Sequence, residues 1–247
     1  MGICNMKCGE LYKSNNGEYF EILEFLDNRR IKVAFVKTGY VTTSTKQQIL
    51  NGQVKDKYLP SVYGVGIVGD GKISVMGKHT QAYQCWKNML ARCYSEKLKN
   101  KLLTYSDCVV SDEFLNFEIF EEWCKNQIGF GADDYDLDKD LLSHDSKIYS
   151  RETCLFVPKE INSFMTENKV NSGIFPVGVS FHKRVKKFSS NISLNNKVTH
   201  LGYFDSIECA RKAYVDAKNQ QAKVLAERYK DKIDIKAYEA LVKLNYM

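Results

Sequence analysis

The 247-residue chain contains no run of 18 uncharged apolar residues, so no segment has the length and apolarity of a membrane-spanning helix. Its first residues, Met1-Gly2-Ile3-Cys4, lack the hydrophobic core of a secretory signal. Gly2 alone does not complete a myristoylation motif, because position 6, which wants Ser or Thr, is Met6. These absences predict a soluble, intracellular protein. Cysteine itself is not scarce, at eight residues, but metal-ligand spacing is: Cys4 and Cys8 form one C-x3-C pair and no second tight pair follows. Structural zinc wants two such pairs, so the scattered Cys85, Cys93, Cys108, Cys124, Cys154 and Cys209 read mostly as reduced core thiols. A nucleotide-binding unit is also missing. Gly64-x-Gly66-x-x-Gly69 matches the dinucleotide fingerprint by letter, yet Asp70-Gly71 reads as a hairpin turn and no βαβ unit of ~30 residues follows.

Apolar residues make up 44% of the chain, enough for folded cores, and the length leaves room for two or three small domains. The net charge of +6 is unevenly spread. Residues 1–70 carry 9 Lys/Arg against 7 Asp/Glu, residues 71–176 carry 13 against 16, and residues 177–247 carry 14 against 7. A basic tail of this kind is the electrostatic footprint of a polyanion partner, and an acidic middle suits carboxylates that hold a cation. The expected fold class is α+β, with a small all-β domain over 1–60, a central domain over 61–170, and a C-terminal domain with a helical extension over 176–247.

In the first segment, Tyr19 to Phe25, Ile31 to Val36 and Gly39 to Thr45 are β-rich runs, the first two separated by a turn at Asp27-Asn28. Asn51-Gly52 signals a further turn before a short strand, Gln53 to Lys55. A five-stranded SH3-like barrel is the expectation, serving DNA contact, protein contact or scaffolding. In the middle, residues 81–94 predict a helix with Tyr83, Trp86, Met89, Leu90, Cys93 and Tyr94 on its apolar side. Ser111 is placed to cap a second helix bearing Phe114, Phe117, Phe120 and Trp123. Such aromatic stripes build core. Tyr135 to Asn162 then reads as a short strand ending at Leu137-Asp138-Lys139-Asp140, a polar loop from Ser143 to Ser150, an apolar strand at Cys154 to Val157, and a helix after Pro158 that carries Asn162.

The tail opens on Gly178-Val179 and the basic run His182-Lys183-Arg184-Val185-Lys186-Lys187. An alternating segment from Phe188 to Leu194 turns at Asn195-Asn196 into Leu201-Gly202-Tyr203-Phe204-Asp205. A helix follows Ser206 with Ile207, Ala210, Ala213, Tyr214 and Ala217 at apolar positions. A three-stranded lysine-rich sheet closed by one helix has no room for a sizeable small-molecule pocket, but it can lie against a polyanion. The order Gly-Val, Leu-Gly-x-Phe and Ala-x-x-Ala-Tyr resembles the apetala-two/ethylene-response-factor DNA-binding domain over roughly 50 residues. The resemblance implies that the sheet lies in the DNA major groove. Sheet positions usually held by Arg or Trp are here Ser180, His182, Phe188 and Ser193, which removes most bidentate guanine contacts and leaves phosphate contacts dominant. The implied DNA-binding residues are His182, Lys183, Arg184, Lys186, Lys187, Ser189, Asn191, Lys197 and His200.

With Trp86-x-x-Met89-x-x-Arg92 and Phe117-x-x-Phe120-x-x-Trp123 before it, the strand-loop-strand-helix segment resembles phage-type HNH homing endonucleases, whose ββα frame holds one divalent metal. The resemblance implies Asp138 and Asn162 as ligands of one Mg²⁺ or Mn²⁺, double-stranded DNA as the partner, and the host bacterial cytoplasm as the location. The loop-shaping position is Thr153. The general-base position is Lys139 rather than His. A protonated lysine accepts no proton at neutral pH, and Asp138 and Asp140 favour its charged form. Lys139 could instead stabilise a phosphorane's charge, leaving the base as Asp140, His144 or metal-bound hydroxide. Three outcomes stay open: a metal-dependent nicking endonuclease, a DNA-binding protein that kept the scaffold and lost catalysis, and a protein-interaction module working through the N-terminal β unit.

Overall fold

A computed structural model describes residues 6–99, 107–143, 146–165, 174–194 and 197–246. The fold is mixed α+β. The N-terminal unit is a four-stranded antiparallel meander of β1 (Leu11–Lys13), β2 (Tyr19–Phe25), β3 (Ile31–Phe35) and β4 (Val41–Ser44) in sequential order. Phe20 and Ile22 on β2 meet Ile31, Val33 and Phe35 on β3 in a small core. This corrects the expected five-stranded barrel: the sheet is open, with no closed barrel among the described residues. The stretch at Gln53 to Lys55 is not a strand. Helix α1 (Lys46–Leu50) precedes it, started by a capping box in which the Thr45 hydroxyl and the Gln48 side chain satisfy each other's backbone N–H. The helix then turns back at Gly52, and Val54 fills the core from a loop.

A connecting segment carries the hairpin β5 (Ser74–Val75) and β6 (Lys78–His79), whose turn is Met76-Gly77 rather than Asp70-Gly71. It runs over helix α2 (Gln81–Tyr94), which Thr80 caps. Gly66 lies so close to α2 that a Cβ there would sit 2.5 Å from Leu90 Cδ1 and 2.7 Å from Trp86. Gly66 therefore serves packing, while Gly64 and Gly69 hold left-handed backbone at φ +76° and +62°. After α3 (Glu96–Lys99) come β7 (Val109–Val110), α4 (Asp112–Leu115) and α5 (Phe117–Lys125). The single helix expected after Ser111 is thus broken at Asn116. The Ile67 N–H donates to the Leu115 carbonyl and the Phe117 N–H donates to the Ile67 carbonyl, so a distant backbone segment interrupts the ladder. Asn116 caps α5, while the Ser111 hydroxyl is buried and makes no cap bond. Phe114, Phe117, Phe120 and Trp123 nevertheless all enter the first central core, with Trp86 Nε1 donating to the Phe114 carbonyl at 2.7 Å. Each buried aromatic contributes on the order of 2 kcal/mol by area alone.

The next elements are β8 (Tyr135–Asp138), β9 (Ile148–Tyr149), β10 (Leu155–Pro158) and α6 (Lys159–Met165). β8 pairs antiparallel with β10, and β9 pairs in parallel with β7. The tail forms an antiparallel sheet of β11 (Val179–His182), β12 (Lys187–Leu194) and β13 (Lys197–Phe204), backed by α7 (Ile207–Tyr229) and followed by α8 (Ile235–Lys243). The expected turn residues Asn195 and Asn196 lie outside the described residues. Gly178 has φ +83°, and a Cβ there would meet the Tyr214 ring at 2.0 Å, so the Gly-Val and Ala-Tyr elements of the tail are one packing contact.

The β8–β10 pair separates two cores. Leu137 and Phe156 face the aromatic core of α2 and α5. On the other side, Leu155, Val157, Ile161 and Phe164 join Ala222, Leu225 and Ala226 of α7 and Ala237 and Leu241 of α8. Arg228 and the Tyr229 hydroxyl both reach Glu160, at 2.5 and 2.8 Å. The Lys218 ammonium, on a side chain only 5% exposed, donates to the Phe164 carbonyl beside the Phe164 and Tyr246 rings. The C-terminal helices therefore complete the core of the central unit.

Candidate functional site

Two places carry the side chains of interest. The first is the β8–β10–α6 unit. Asp138 ends β8 and is 5% exposed; its Oδ1 accepts the N–H groups of Leu141 at 2.7 Å and Asp140 at 3.1 Å, closing the turn that follows. Burial pushes its carboxyl up from 3.8 to about 6, against those two N–H bonds. Lys139, 6% exposed, sends its ammonium to Asp140 and to the Ser146 carbonyl at 3.2 Å, near the Tyr149 ring. Asn162 Nδ2 donates to Asp136 Oδ2 at 3.3 Å. Asp136, two residues before Asp138 on the same strand face, escaped the sequence reading; its signal was the Asp-x-Asp alternation in β8. Thr153 does shape the loop: its hydroxyl donates to the Ile148 carbonyl at 2.7 Å and accepts the Ser150 N–H at 3.0 Å.

The two residues expected to share a cation are thus engaged separately, Asp138 on the β8 turn and Asn162 on Asp136. His144 lies outside the described residues. Among the described residues no group of three or more His, Cys, Asp or Glu side chains is placed to hold a metal ion. The thiols Cys93, Cys108, Cys124 and Cys154 are buried, while Cys8 and Cys209 are exposed. Burial pushes Cys85 and Cys154 up to about 12, so both stay protonated at neutral pH.

The second place is the C-terminal sheet. Val179, Ser190 and Ile192 are buried, and strand alternation turns their face toward α7. The opposite face carries His182, Lys187, Ser189, Asn191, His200 and Tyr203. The register pairs His182 with Lys187, Ser189 with Tyr203, and Asn191 with His200. A β-bulge at Leu201 sets the last pairing, because Ser190 opposes Gly202 while Asn191 opposes His200. His200 Nδ1 lies 3.1 Å from Asn191 Oδ1 and 3.2 Å from Ser189 Oγ, and Asn191 Nδ2 donates to Ser189 Oγ at 3.1 Å. Tyr203 packs against the rings of both His182 and His200.

Lys183, Arg184 and Lys186 are exposed on the β11–β12 turn at one end of this face, while Lys187 pairs with Asp205 at 3.0 Å. Lys197 differs from the rest: by register with Leu194 it sits on the α7 side, exposed at the hairpin end. Phe188 likewise meets the Phe181 ring edge to face and pairs with Phe204 on that side. Tyr203, read in the sequence as part of the segment after the Asn195-Asn196 turn, and the exposed Val198 gain their place on the outward face only from the pairing register.

Comparison with family models, with curated proteins and with solved structures returned no match to this chain. Among the described residues no helix is long and apolar enough to cross a membrane.

Proposed function

We propose that this chain is a duplex-DNA-binding protein that lays the outward face of its C-terminal sheet in a groove and grips phosphates with the β11–β12 turn. One observation carries the reading: Lys183, Arg184 and Lys186 sit exposed at the end of a polar face formed by His182, Ser189, Asn191, His200 and Tyr203. A two-stranded ribbon fits the major groove, and eight-residue strands such as β12 and β13 run about 26 Å, several base pairs of contact. In this reading the β8–β10–α6 unit is an HNH-like scaffold, in which the Lys139 ammonium is held by Asp140 and Ser146 instead of serving as a base. The open N-terminal sheet is then a candidate contact for a protein partner, and the host bacterial cytoplasm is the expected setting.

The test is binding of the full chain to a short duplex across a salt series. Three phosphate contacts give a slope of log K against log salt of about −3. Absence of binding in dilute buffer refutes the reading.

A second reading, a nicking endonuclease using one Mg²⁺ or Mn²⁺, is favoured by the meeting of Asp136 and Asn162 on β8 and α6. Asp136, Asp138 and the side-chain oxygen of Asn162 are the groups of this chain that would hold the ion. Relaxation of supercoiled plasmid that requires the metal and is abolished by Asp138→Ala would establish it. Unchanged supercoiling under the same conditions leaves the binding protein.

A further inference from the structure

The hairpin of β5 and β6 ends in a side chain that the fold does not need there. Ser74 pairs with His79 and Val75 with Lys78, so Met76 and Gly77 are the central residues of the turn. Their φ angles are +49° and +78°, both positive, as a type I′ turn demands. Gly77 suits that backbone, but the first position favours Asn, Asp or Gly over a long apolar side chain. Met76 is nonetheless there, and 98% exposed. Strained backbone of this sort collects at functional sites. Lys186, another of the three described non-glycine residues with positive φ, lies in the turn to which phosphate contact is assigned above.

The apolar surface extends beyond Met76. Ile73 and Val75 are 38% and 47% exposed, and strand alternation puts them on one face with Lys78. His79 faces the other way, toward the Tyr83 ring at 4.8 Å. The base of the hairpin is fixed. The Thr80 N–H donates to the Ile73 carbonyl at 3.1 Å, the Thr80 hydroxyl to the Lys72 carbonyl at 2.9 Å, and the Lys72 N–H to Glu121 Oε2 at 3.2 Å. A Cβ on Gly71 would sit 2.5 Å from the Phe117 ring, whereas one on Gly77 would meet nothing within 4 Å. A stiff arm with a bare apolar end therefore stands out from the α2–α5 core. At ~3.3 Å per residue it reaches about 10 Å beyond Ile73, against a minor groove about 7.5 Å deep. Charge along this stretch has one sign: from Gly71 to Ser95 the chain has Lys72, Lys78, Lys87 and Arg92 and no Asp or Glu. Lys72 and Lys78 are exposed on either side of the tip.

We propose, resting on the duplex-DNA reading above, that the β5–β6 hairpin is a second DNA contact, in which Met76 enters the minor groove as a wedge between base pairs. Ile73 and Val75 line the side of the wedge, and Lys72 and Lys78 hold the phosphates flanking it. An inserted apolar side chain partly unstacks one base step and bends the duplex by about 20–90°.

The experiment mixes the full chain with a duplex of about 20 base pairs carrying a donor and an acceptor dye at its ends, short against the stiffness of DNA. Energy transfer rises on binding, because bending brings the ends together. Met76→Asn, which fits the turn better, has an unfolding midpoint at or above that of the wild type. It binds about tenfold more weakly and gives no rise in energy transfer. Met76→Leu keeps both the bend and the affinity. A central mismatched pair, already poorly stacked, raises the affinity of the wild type about tenfold and that of Met76→Asn far less. Replacing Lys72 and Lys78 by Ala removes about 2 from the salt slope.

Binding by the wild type with no rise in energy transfer overturns the wedge and leaves the DNA reading standing. So does a Met76→Asn protein that binds and bends the duplex like the wild type. Met76-dependent binding to phosphatidylserine vesicles, with duplex binding unaffected by the substitution, overturns it in favour of a lipid contact. Failure to bind any duplex in dilute buffer overturns the DNA reading itself, and the wedge with it.

Discussion

Asp138 makes the stability of this protein depend on pH in a direction opposite to that of ordinary surface carboxylates. Burial raises its carboxyl from 3.8 to about 6. The folded state therefore binds this proton more tightly than the unfolded state does. The stabilisation from that proton is complete below the unfolded value and is lost as pH rises through about 6. A shift of roughly 2 units corresponds to about 3 kcal/mol. The perturbation is Asp138→Asn, which keeps an oxygen to accept the N–H groups of Leu141 and Asp140 and removes the charge. Urea unfolding at several values from pH 4.5 to 7.5, followed by Trp86 and Trp123 fluorescence, gives the free energy of each protein. Exposed carboxylates such as Asp27 and Asp70, held low by hydrogen bonds with their neighbours, contribute equally to both and cancel in the difference. The variant should gain on the wild type by about 2 kcal/mol between the two ends of the range. A difference that stays constant across the series would show that the carboxylate is solvated after all, and the argument from burial would fail.

Three further outcomes are expected. Gly178→Ala combines a left-handed backbone with a Cβ driven into the Tyr214 ring, and should cost about 2 kcal/mol or more in thermal or urea unfolding. Replacing Lys183, Arg184 and Lys186 together by Ala should weaken duplex binding to the same degree for every sequence and flatten the salt slope by about 3, measured by anisotropy. Leu241→Ala, at a fully buried position of α8, should cost about 2–5 kcal/mol and shift the unfolding midpoint reported by Trp86 and Trp123. Those tryptophans lie in the other core, across the β8–β10 pair, so an unmoved fluorescence transition would show the two cores to be independent.

Local patterns in the sequence were legible where one element decides its own structure. The aromatic spacing of Tyr83 to Tyr94 gave α2 its limits, and the alternation in Tyr19 to Phe25 and Ile31 to Val36 gave β2 and β3. The order of elements from Tyr135 to Asn162 is present with one difference, the two-residue strand β9 inside the expected loop, which pairs with the distant β7; the three strands and helix of the tail are also present. Two misreadings had local cues: Thr45-x-x-Gln48 was a capping box, and Met76-Gly77 was the better hairpin turn. The remainder depended on partners far along the chain. The helix after Ser111 breaks because Ile67, some 50 residues earlier, takes its hydrogen bonds. Asn162 turns to Asp136, and Lys139 buries its ammonium against Asp140 and Ser146, for reasons that only the folded loop provides. Which residues of β13 face outward rested on a bulge at Leu201, whose one local cue is the neighbouring Gly202 inside the strand.

The union of α8 with the β8–β10 pair also governs the order in which the protein can be born. Leu155, Val157 and Ile161 share a core with Leu141, Phe164 and Met165, and with residues of α7 and α8 that end near Leu241. At about 5–20 residues per second, the ribosome needs ~4–15 s to pass from Met165 to Leu241. For that interval the nascent middle carries a bare oily side, and a chain cut before α7 would carry it permanently. Fragments that stop at residue 170 should accordingly clump or recruit chaperones, whereas those that run to the last helix should stay dispersed.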